Sequence, residues 1–397
     1  MLRRLRLLTA GESHGPAITA VLEGMPAGLE LPPGYVDEQL RRRQQGYGRG
    51  GRQRIEQDRV RWLGGLRFGR TLGSPLAMLI ENRDFANWAE EMAPEGPEVR
   101  RRQVRVPRPG HADYAGGLKY RARDLRDVLE RASARETAAR VAAGAVARRL
   151  LEELGIELCS RVVAIGGVQD TSSVAGLSIA EIRERTEASS VRALGAEASA
   201  AMVARIERAQ REGDSVGGVF EVRARGVVPG LGSHVQWDRR LDALLVGALC
   251  SIQAVKAAAV GEGIELAAAP GSQAHDAFAL PAEGGPPRRT TNRAGGIEGG
   301  MTNGEDVVVR GWMKPLSTLP RPLPSFDWLR GEPAAAHRER TDSCAVPAAA
   351  VVGEAMVALV LADALLDKLG GDSMDELRER LALLWREPPP FAGRTAS

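Results

Sequence analysis

Two of the five histidines in this 397-residue chain stand in glycine-rich surroundings. His14 lies in G-E-S-H-G at 11–15, and His111 in R-P-G-H-A-D-Y-A-G-G at 108–117. An imidazole set between small residues at a turn can face a cleft, and it is the side chain that exchanges protons near neutral pH. Pro109-Gly110 and Gly116-Gly117 leave the backbone around His111 open. Asp113 follows two residues later, and Arg101, Arg102, Arg105 and Arg108 precede it. Taken singly, His14 reads first as a hydrogen-bonded turn residue, His111 reads equally well as a structural or a functional residue, and the arginines read as a solvated basic face.

Four further stretches carry polar chemistry. R-R-R-Q-Q-G-Y-G-R-G-G-R at 41–52 joins glycines, which let backbone approach a ligand, to guanidinium forks that suit phosphate or carboxylate. It lacks the G-K-S/T of a phosphate-binding Walker loop, and contact with a nucleic-acid backbone explains it as well. R-A-S-A-R-E-T at 131–137 reads as a helix start, whose free amides and dipole suit an anion. Its S-A-R-E has the form of a capping box, Ser133 accepting from the amide of Glu136. T-N-R-A-G-G-I-E-G-G-M-T-N-G at 291–304, followed by M-K-P-L-S-T-L-P at 313–320, reads as a close-contact ligand loop or a glycine-rich hairpin. H-R-E-R-T-D-S-C-A-V-P-A-A at 337–349 places Arg340 and Asp342 ahead of an apolar run, where a surface ion pair is the ordinary meaning. Together these stretches describe a site for a small polyanion with two proton donors and a carboxylate.

Composition narrows the alternatives. Hydrophobic residues at 43% and charged residues at 26% describe a soluble globular chain. A net charge of +3, from 54 basic and 51 acidic residues, gives no global polyanion-binding signature. Aromatics at 4% argue against stacking platforms for single-stranded nucleic acid. Cys159, Cys250 and Cys344 are far apart and show no ligand spacing. No metal or disulfide framework is expected, and the reading is a reducing, cytoplasmic compartment. The N-terminus lacks the apolar region of a signal peptide. The run from Pro347 to Leu366 approaches membrane-spanning length but carries Glu354 and Asp363. Carboxylates near a bilayer midplane are costly, so a buried core helix is expected and no membrane.

The elements that must position these groups follow from periodicity. Strands are expected at 5–10, 60–63, 76–81, 162–166, 218–224 and 307–313. Helices are expected at 33–43, 178–187, 197–212, 238–254, 347–369 and 374–386. Residues 93–118 read as a long loop. After Ser133, the residues Ala138, Val141, Ala142, Ala145, Val146, Leu150 and Leu154 repeat at three- and four-residue steps, giving a helix with one apolar face that Gly155 stops. Strands and helices mix without regular alternation, so the fold class is α+β.

The motifs G-E-S-H-G, R-P-G-H-A-D-Y, R-A-S-A-R-E-T-A-A-R-V-A-A-G, N-R-A-G-G-I-E-G-G-M-T-N-G and R-T-D-S-C-A-V-P, in this order from about residue 5 to 373, resemble the chorismate synthase family. The resemblance implies a sandwich of helices between antiparallel β-sheets, one catalytic domain over 1–387, and a flexible tail at 388–397. It implies conversion of 5-enolpyruvylshikimate 3-phosphate to chorismate by anti 1,4-elimination of phosphate, with reduced FMN and no net redox change. His14 then matches the histidine that protonates the departing phosphate, His111 the histidine beside the reduced flavin, and Asp342 the carboxylate that helps flavin N5 take up the ring proton. Ser13, Arg43, Arg49 and Arg135 match substrate positions, and Arg43 and Arg49 also match NADPH positions. FMN positions fall on Arg131, Ala132, Ser133, Gln253, Ala254, Gly299, Lys314, Pro315, Leu316, Ser317, Thr318 and Arg340, the last also holding substrate.

The chain departs from the family's usual K-G-V-E-I-G with K-A-A-A-V-G at 256–261. The resemblance further implies a homotetramer, with NADPH or a separate flavin reductase as the source of reducing equivalents. The rival reading is a polyanion-binding protein that lays the basic loops at 41–54 and 100–126 on RNA or DNA, with steeply salt-dependent affinity.

Overall fold

Strand β1 (Arg6–Ala10) turns through G-E-S-H-G-P into β2 (Ala17–Glu23), which it pairs antiparallel from Arg6 opposite Glu23 to Ala10 opposite Thr19. In β2 the alternate residues Ile18, Ala20 and Leu22 are buried, the period-two pattern of a sheet with one face on the core. Helix α1 (Tyr35–Gln44) begins after two prolines, with Gly34 supplying a left-handed turn at φ 76°. Strands β3 (Arg61–Gly64) and β4 (Leu76–Glu81) complete a four-stranded antiparallel sheet in the order β1-β2-β4-β3. Residues 2–50, 57–280, 287–339 and 341–384 are the described part of this computed structural model. The expected tail at 388–397, and the last two residues of the helix expected at 374–386, lie outside them.

Helices α2 (Asp113–Tyr120) and α3 (Arg126–Ala132) lead to α4 (Thr137–Glu153). Strands β5 (Glu157–Ile165) and β6 (Val168–Gln169) are followed by helices α5 (Ile179–Ala188) and α6 (Ala196–Glu212). Then come β7 (Gly218–Arg225), α7 (Leu241–Cys250), β8 (Val255–Val260), β9 (Val307–Met313), α8 (Val346–Leu369) and α9 (Met374–Leu383). The second antiparallel sheet runs β8-β9-β7-β5-β6.

Helices α4 and α8 fill the space between the sheets. α4 packs on β2 and β4, α8 packs on β5 and β7, and the two helices pack on each other. Position in the middle of a sandwich explains their composition. α4 buries Ala139, Ala143 and Ala147 as fully as its expected apolar face, because both sides of the helix meet protein. Small side chains also let the helices approach closely. A Cβ added at Gly144 would stand 2.4 Å from the Cβ of Ala355. Leu359, Leu361 and Leu365 of α8 are buried, each contributing about 1.5–3 kcal/mol by leaving water.

The apolar run that approaches membrane length is therefore a core helix, 89% buried over its most apolar window. Its two carboxylates are fully engaged. Asp363 accepts from the amides of Arg3, Arg4 and Leu5 at 2.8–3.0 Å. Glu354 accepts from Arg42, Arg148 and Ser160.

Three local expectations differ from the structure. Strands β2 and β8 had no counterpart among the expected elements. The loop expected over 93–118 contains the start of α2, a helix holding Gly116 and Gly117. A Cβ on Gly117 would lie 2.7 Å from Leu125 Cδ2 and 2.9 Å from Trp328, so close packing outweighs the poor helix propensity of glycine. The capping box at Ser133 is not formed. Ser133 caps a short 3-10 turn by accepting from the amide of Arg135 at 3.3 Å, while the Glu136 carboxylate bonds Arg140, Thr9 and Gln253.

Candidate functional site

A cavity of about 430 Å³ opens where α4 and α8 begin. Two helix starts bring positive dipole ends to the same space. Its lining is drawn from the β1–β2 turn, the end of α1, the segment before α2, the α3–α4 junction, the turn before β8, the segment after β9 and the approach to α8.

His14 is fixed on three sides. The turn that carries it needs Gly11, at φ 105°, where a Cβ would strike the carbonyl of Ala17. The His14 amide donates to Glu130 Oε2 at 2.8 Å, and ring Nδ1 lies 2.9 and 3.0 Å from the two Glu130 oxygens. The ring stacks on Trp88 with centroids 4.0 Å apart, and Arg102 and Arg126 lie over that indole. Burial alone would raise the proton affinity of Glu130, but bonds from His14 and the nearby Arg126 guanidinium hold it below the usual carboxylate range.

His111 has a parallel arrangement. Its Nδ1 lies 2.5 Å from Asp113 Oδ1, and the tautomer with the proton on Nδ1 satisfies that contact. Asp113 is fully buried. Its burial is outweighed by bonds from His111 and Arg108, so it is held far below the usual carboxylate range. Arg108 also donates to Thr318 Oγ1 at 2.8 Å, tying this segment to the stretch after β9. Lys314 Nζ donates to the carbonyl of Gly110 at 2.5 Å.

The third group is a cluster of guanidiniums. Arg43 and Arg135 share the buried Asp58, at 2.7 and 2.6 Å. Arg43 also donates to Thr137 Oγ1, and Arg135 to Asn82 Oδ1. Burial lowers the proton affinity of Arg43; Asp58 opposes this, and the neighbouring Arg135 and Arg49 add to it. Burial is the largest cause; the two guanidiniums matter because they stand with Arg43 beside open volume, where an anion is stabilised. Asp342 accepts from the Gly50 amide at 2.6 Å and pairs with Arg49 at 2.8 Å.

Part of the remaining lining is small and apolar, with Ala132, Ala134, Ala254, Ala345, Ala348, Ala349 and Val352. Ala254 adopts φ 66°, a left-handed conformation that costs a non-glycine residue energy. Its carbonyl accepts from the Lys314 amide at 2.9 Å. Gln253 Oε1 is buried and without a partner among the described residues.

The structure thus brings Ser13, His14, Arg43, Arg49, His111, Ala132, Ser133, Arg135, Gln253, Ala254, Lys314, Leu316, Ser317, Thr318 and Asp342 to one cavity. Three expected residues do not line it. Arg131 donates instead to the carbonyls of Thr9 and Gly11 and to Thr9 Oγ1, bracing the end of β1. Pro315 is absent from the lining, and Gly299 turns the hairpin between Ile297 and Thr302. Arg340 lies outside the described residues. Ala257 and Ala259, in the divergent K-A-A-A-V-G, sit on β8 opposite Trp312 and Arg310 and are also absent from the lining.

Residue-by-residue reading overlooked Glu130, Asp58, Asn82, Thr137, Glu339 and Trp88. Thr137 ends the quoted R-A-S-A-R-E-T and Glu339 lies in the quoted H-R-E-R-T-D-S, signals that were available; the others carry no local signal. The basic loops of the rival reading are largely spent on carboxylates. Arg101 and Arg102 pair with Glu91, Arg105 with Asp327, Arg126 with Glu130 and Glu339, and Arg42 with Glu354. Among the described residues, such pairing takes up much of the charge that a nucleic-acid backbone would need.

Comparison with known proteins gives a consistent result. A family model described as chorismate synthase matches residues 5–366. The chorismate synthase of Desulforudis audaxviator is 59% identical over 375 residues, 94% of this chain and 95% of its own. That of Moorella thermoacetica is 57% identical over 379 residues, covering 95% of this chain and 97% of its own. A crystal structure of chorismate synthase superposes with a TM-score of 0.77 at 44% identity, covering 97% of this chain and 98% of that one.

Proposed function

The chain belongs to the chorismate synthase family, and from that membership we propose how its cleft works. The enzyme converts 5-enolpyruvylshikimate 3-phosphate to chorismate and phosphate, the shikimate-pathway step that serves aromatic amino acid biosynthesis. One C–H and one C–O bond of the ring system break, a conjugated diene forms, and phosphate leaves with the C–O electron pair. The observation that carries the site assignment is the convergence of His14, His111, Asp342, Arg43, Arg49 and Arg135 on one cavity.

Arg43, Arg49 and Arg135 hold the substrate's phosphate and carboxylates, completing with ligand charge a cluster that Asp58 and Asp342 only partly balance. Arg340 and Ser13 belong to the same group of substrate ligands. His14 gives its proton from Nε2 to a phosphate oxygen. An imidazole and a phosphate monoester exchange a proton readily near neutral pH, which suits this transfer. The Asp342 carboxylate, pinned by Gly50 and Arg49, relays the proton lost from the ring. His111, held by Asp113, is the imidazole set beside the negative charge brought by the cofactor.

The lining fits reduced FMN. Its volume is within the roughly 300–1,000 Å³ of small-molecule sites. The alanines give flat apolar walls, Lys314 gives positive charge, and Gln253 Oε1 is an acceptor with no partner among the described residues. Reduced FMN supplies, when bound, electron density that lowers the barrier to phosphate departure. Ala132, Ser133, Gln253, Ala254, Lys314, Leu316, Ser317 and Thr318 form its bed; Arg131, Gly299 and Pro315 lie outside that lining, and Arg340 lies outside the described residues. Reducing equivalents come from NADPH at Arg43 and Arg49 or from a separate flavin reductase. We place the protein in the cytoplasm as a homotetramer, with residues 1–387 forming a single catalytic domain.

Anaerobic incubation with dithionite-reduced FMN and the phosphorylated substrate tests the reading. Equal amounts of chorismate and phosphate are expected, and absence of both overturns it.

A further inference from the structure

We infer that Glu130 is the positioning residue of His14: its carboxylate fixes the imidazole by Nδ1 and assigns proton delivery to Nε2. The inference rests on the role given to His14 above and adds a residue to it. Four observations carry it. Glu130 is engaged with the turn at three points: its carbonyl accepts from the Ser13 amide at 3.1 Å, its carboxylate accepts from the His14 amide at 2.8 Å, and the same carboxylate lies 2.9 Å from Nδ1. One group thus holds both backbone and ring of one histidine, which leaves the ring little freedom about its first side-chain bond. The Glu130 side chain is completely excluded from solvent, so the contact is not competed away by water. Arg126 donates to Glu130 Oε1 at 2.9 Å and Glu130 is held below the usual carboxylate range, so the partner of the imidazole is an anion. Finally, Trp88 covers one ring face, so that ring rotation is opposed by packing as well as by charge.

Further out the same line continues. Arg126 donates to Glu339 Oε1 at 3.2 Å, and Glu339 lies 3.0 Å from His337 Nε2. Glu339 itself lines the cavity. The carboxylate that orients His14 is therefore braced by the segment that leads to Asp342. A histidine oriented by a carboxylate in this way keeps one tautomer and one ring orientation, which is the general arrangement for acid–base work.

The test uses holoenzyme variants and a double-mutant cycle. Glu130→Gln is expected to lower kcat about 10- to 100-fold with KM for substrate within about threefold, since orientation and charge are lost while the anion site stays. Glu130→Asp, which keeps the charge, is expected to recover part of the rate. In a His14→Ala background, Glu130→Gln is expected to add little, because it acts through the missing ring. Independently of activity, nitrogen-15 NMR of the five histidines is expected to lose the Nδ1–H signature of His14 in Glu130→Gln. Full additivity of the two losses, or an unchanged His14 signal, overturns the inference. A near-normal rate for His14→Ala overturns the role of His14 itself, and a severe His14→Ala loss beside a neutral Glu130→Gln overturns only the positioning claim. If Glu130→Gln fails to fold, Glu130→Asp with the same NMR readout decides, because a displaced carboxylate must shift the Nδ1–H signal.

Discussion

Arg42 and Arg43 are neighbours in the last turn of α1, and they enter two different charge clusters. Arg42 meets Glu354 through two bonds of 2.8 and 2.9 Å and Glu187 through one of 2.7 Å. Burial opposes its charge, yet the two carboxylates raise its proton affinity above the usual arginine value. Arg148 and Arg192 join the same cluster, and the nearby void is only about 10 Å³, the limit for one water. Arg43 lies beside a cavity of about 430 Å³, and its proton affinity falls through burial and through Arg135 and Arg49, against Asp58. Arg192 is also pushed down by burial and by Arg42, so lowered affinity alone does not mark a site. Lowered affinity beside open volume does. One cluster is closed and holds the helices of the core together; the other is short of negative charge and faces a space for a ligand.

Three substitutions break or sharpen that contrast. Glu354→Ala strips the closed cluster of its central anion and is expected to cost about 3–5 kcal/mol of stability, read from urea or thermal unfolding. A loss below about 1 kcal/mol removes the distinction. Arg43→Ala is expected to raise KM for the phosphorylated substrate about 10- to 100-fold, the worth of a charge-assisted bond, while stability changes far less than in Glu354→Ala. An equal loss of stability in both variants makes the clusters alike.

The smallest effect concerns pH. Burial raises the proton affinity of Glu339, but its bond to His337 and the charge of Arg126 prevail and bring it down to about 2 from the usual 4.5. A depressed carboxylate contributes stability above pH 4.5 that fades as the pH falls towards about 2. Glu339→Gln is therefore expected to flatten the stability profile between pH 5 and 2.5 by about 1 kcal/mol or less, the partial exposure of the pair limiting its worth.

What the sequence reveals depends on how far apart the partners lie. The long helices α4 and α8, and strands β4 and β9, are legible from periodicity within their own residues. The α2 helix is not, because the forces that make Gly116-Gly117 helical come from Val128, Leu125 and Trp328. Similarly, G-E-S-H-G points to His14, and R-P-G-H-A-D points to both His111 and the Asp113 that holds it. Nothing near residue 14 points to Glu130, which is 116 positions away. Asp58, between Arg43 and Arg135, escapes notice for the same reason. Motifs display the groups that meet a ligand, whereas the groups that hold them are chosen by folding.

Gly144 shows how far such support extends. It lies in α4 about two turns beyond Thr137, where a methyl would run into Ala355 of α8. Thr137 and Ala348 stand on opposite members of that helix pair and both border the cleft. Its calibre is therefore gauged by a hydrogen atom that no ligand touches. Widening the seam by one carbon would part the two walls like a wedge driven in behind a hinge, with every reactive group still present and out of reach of its neighbours.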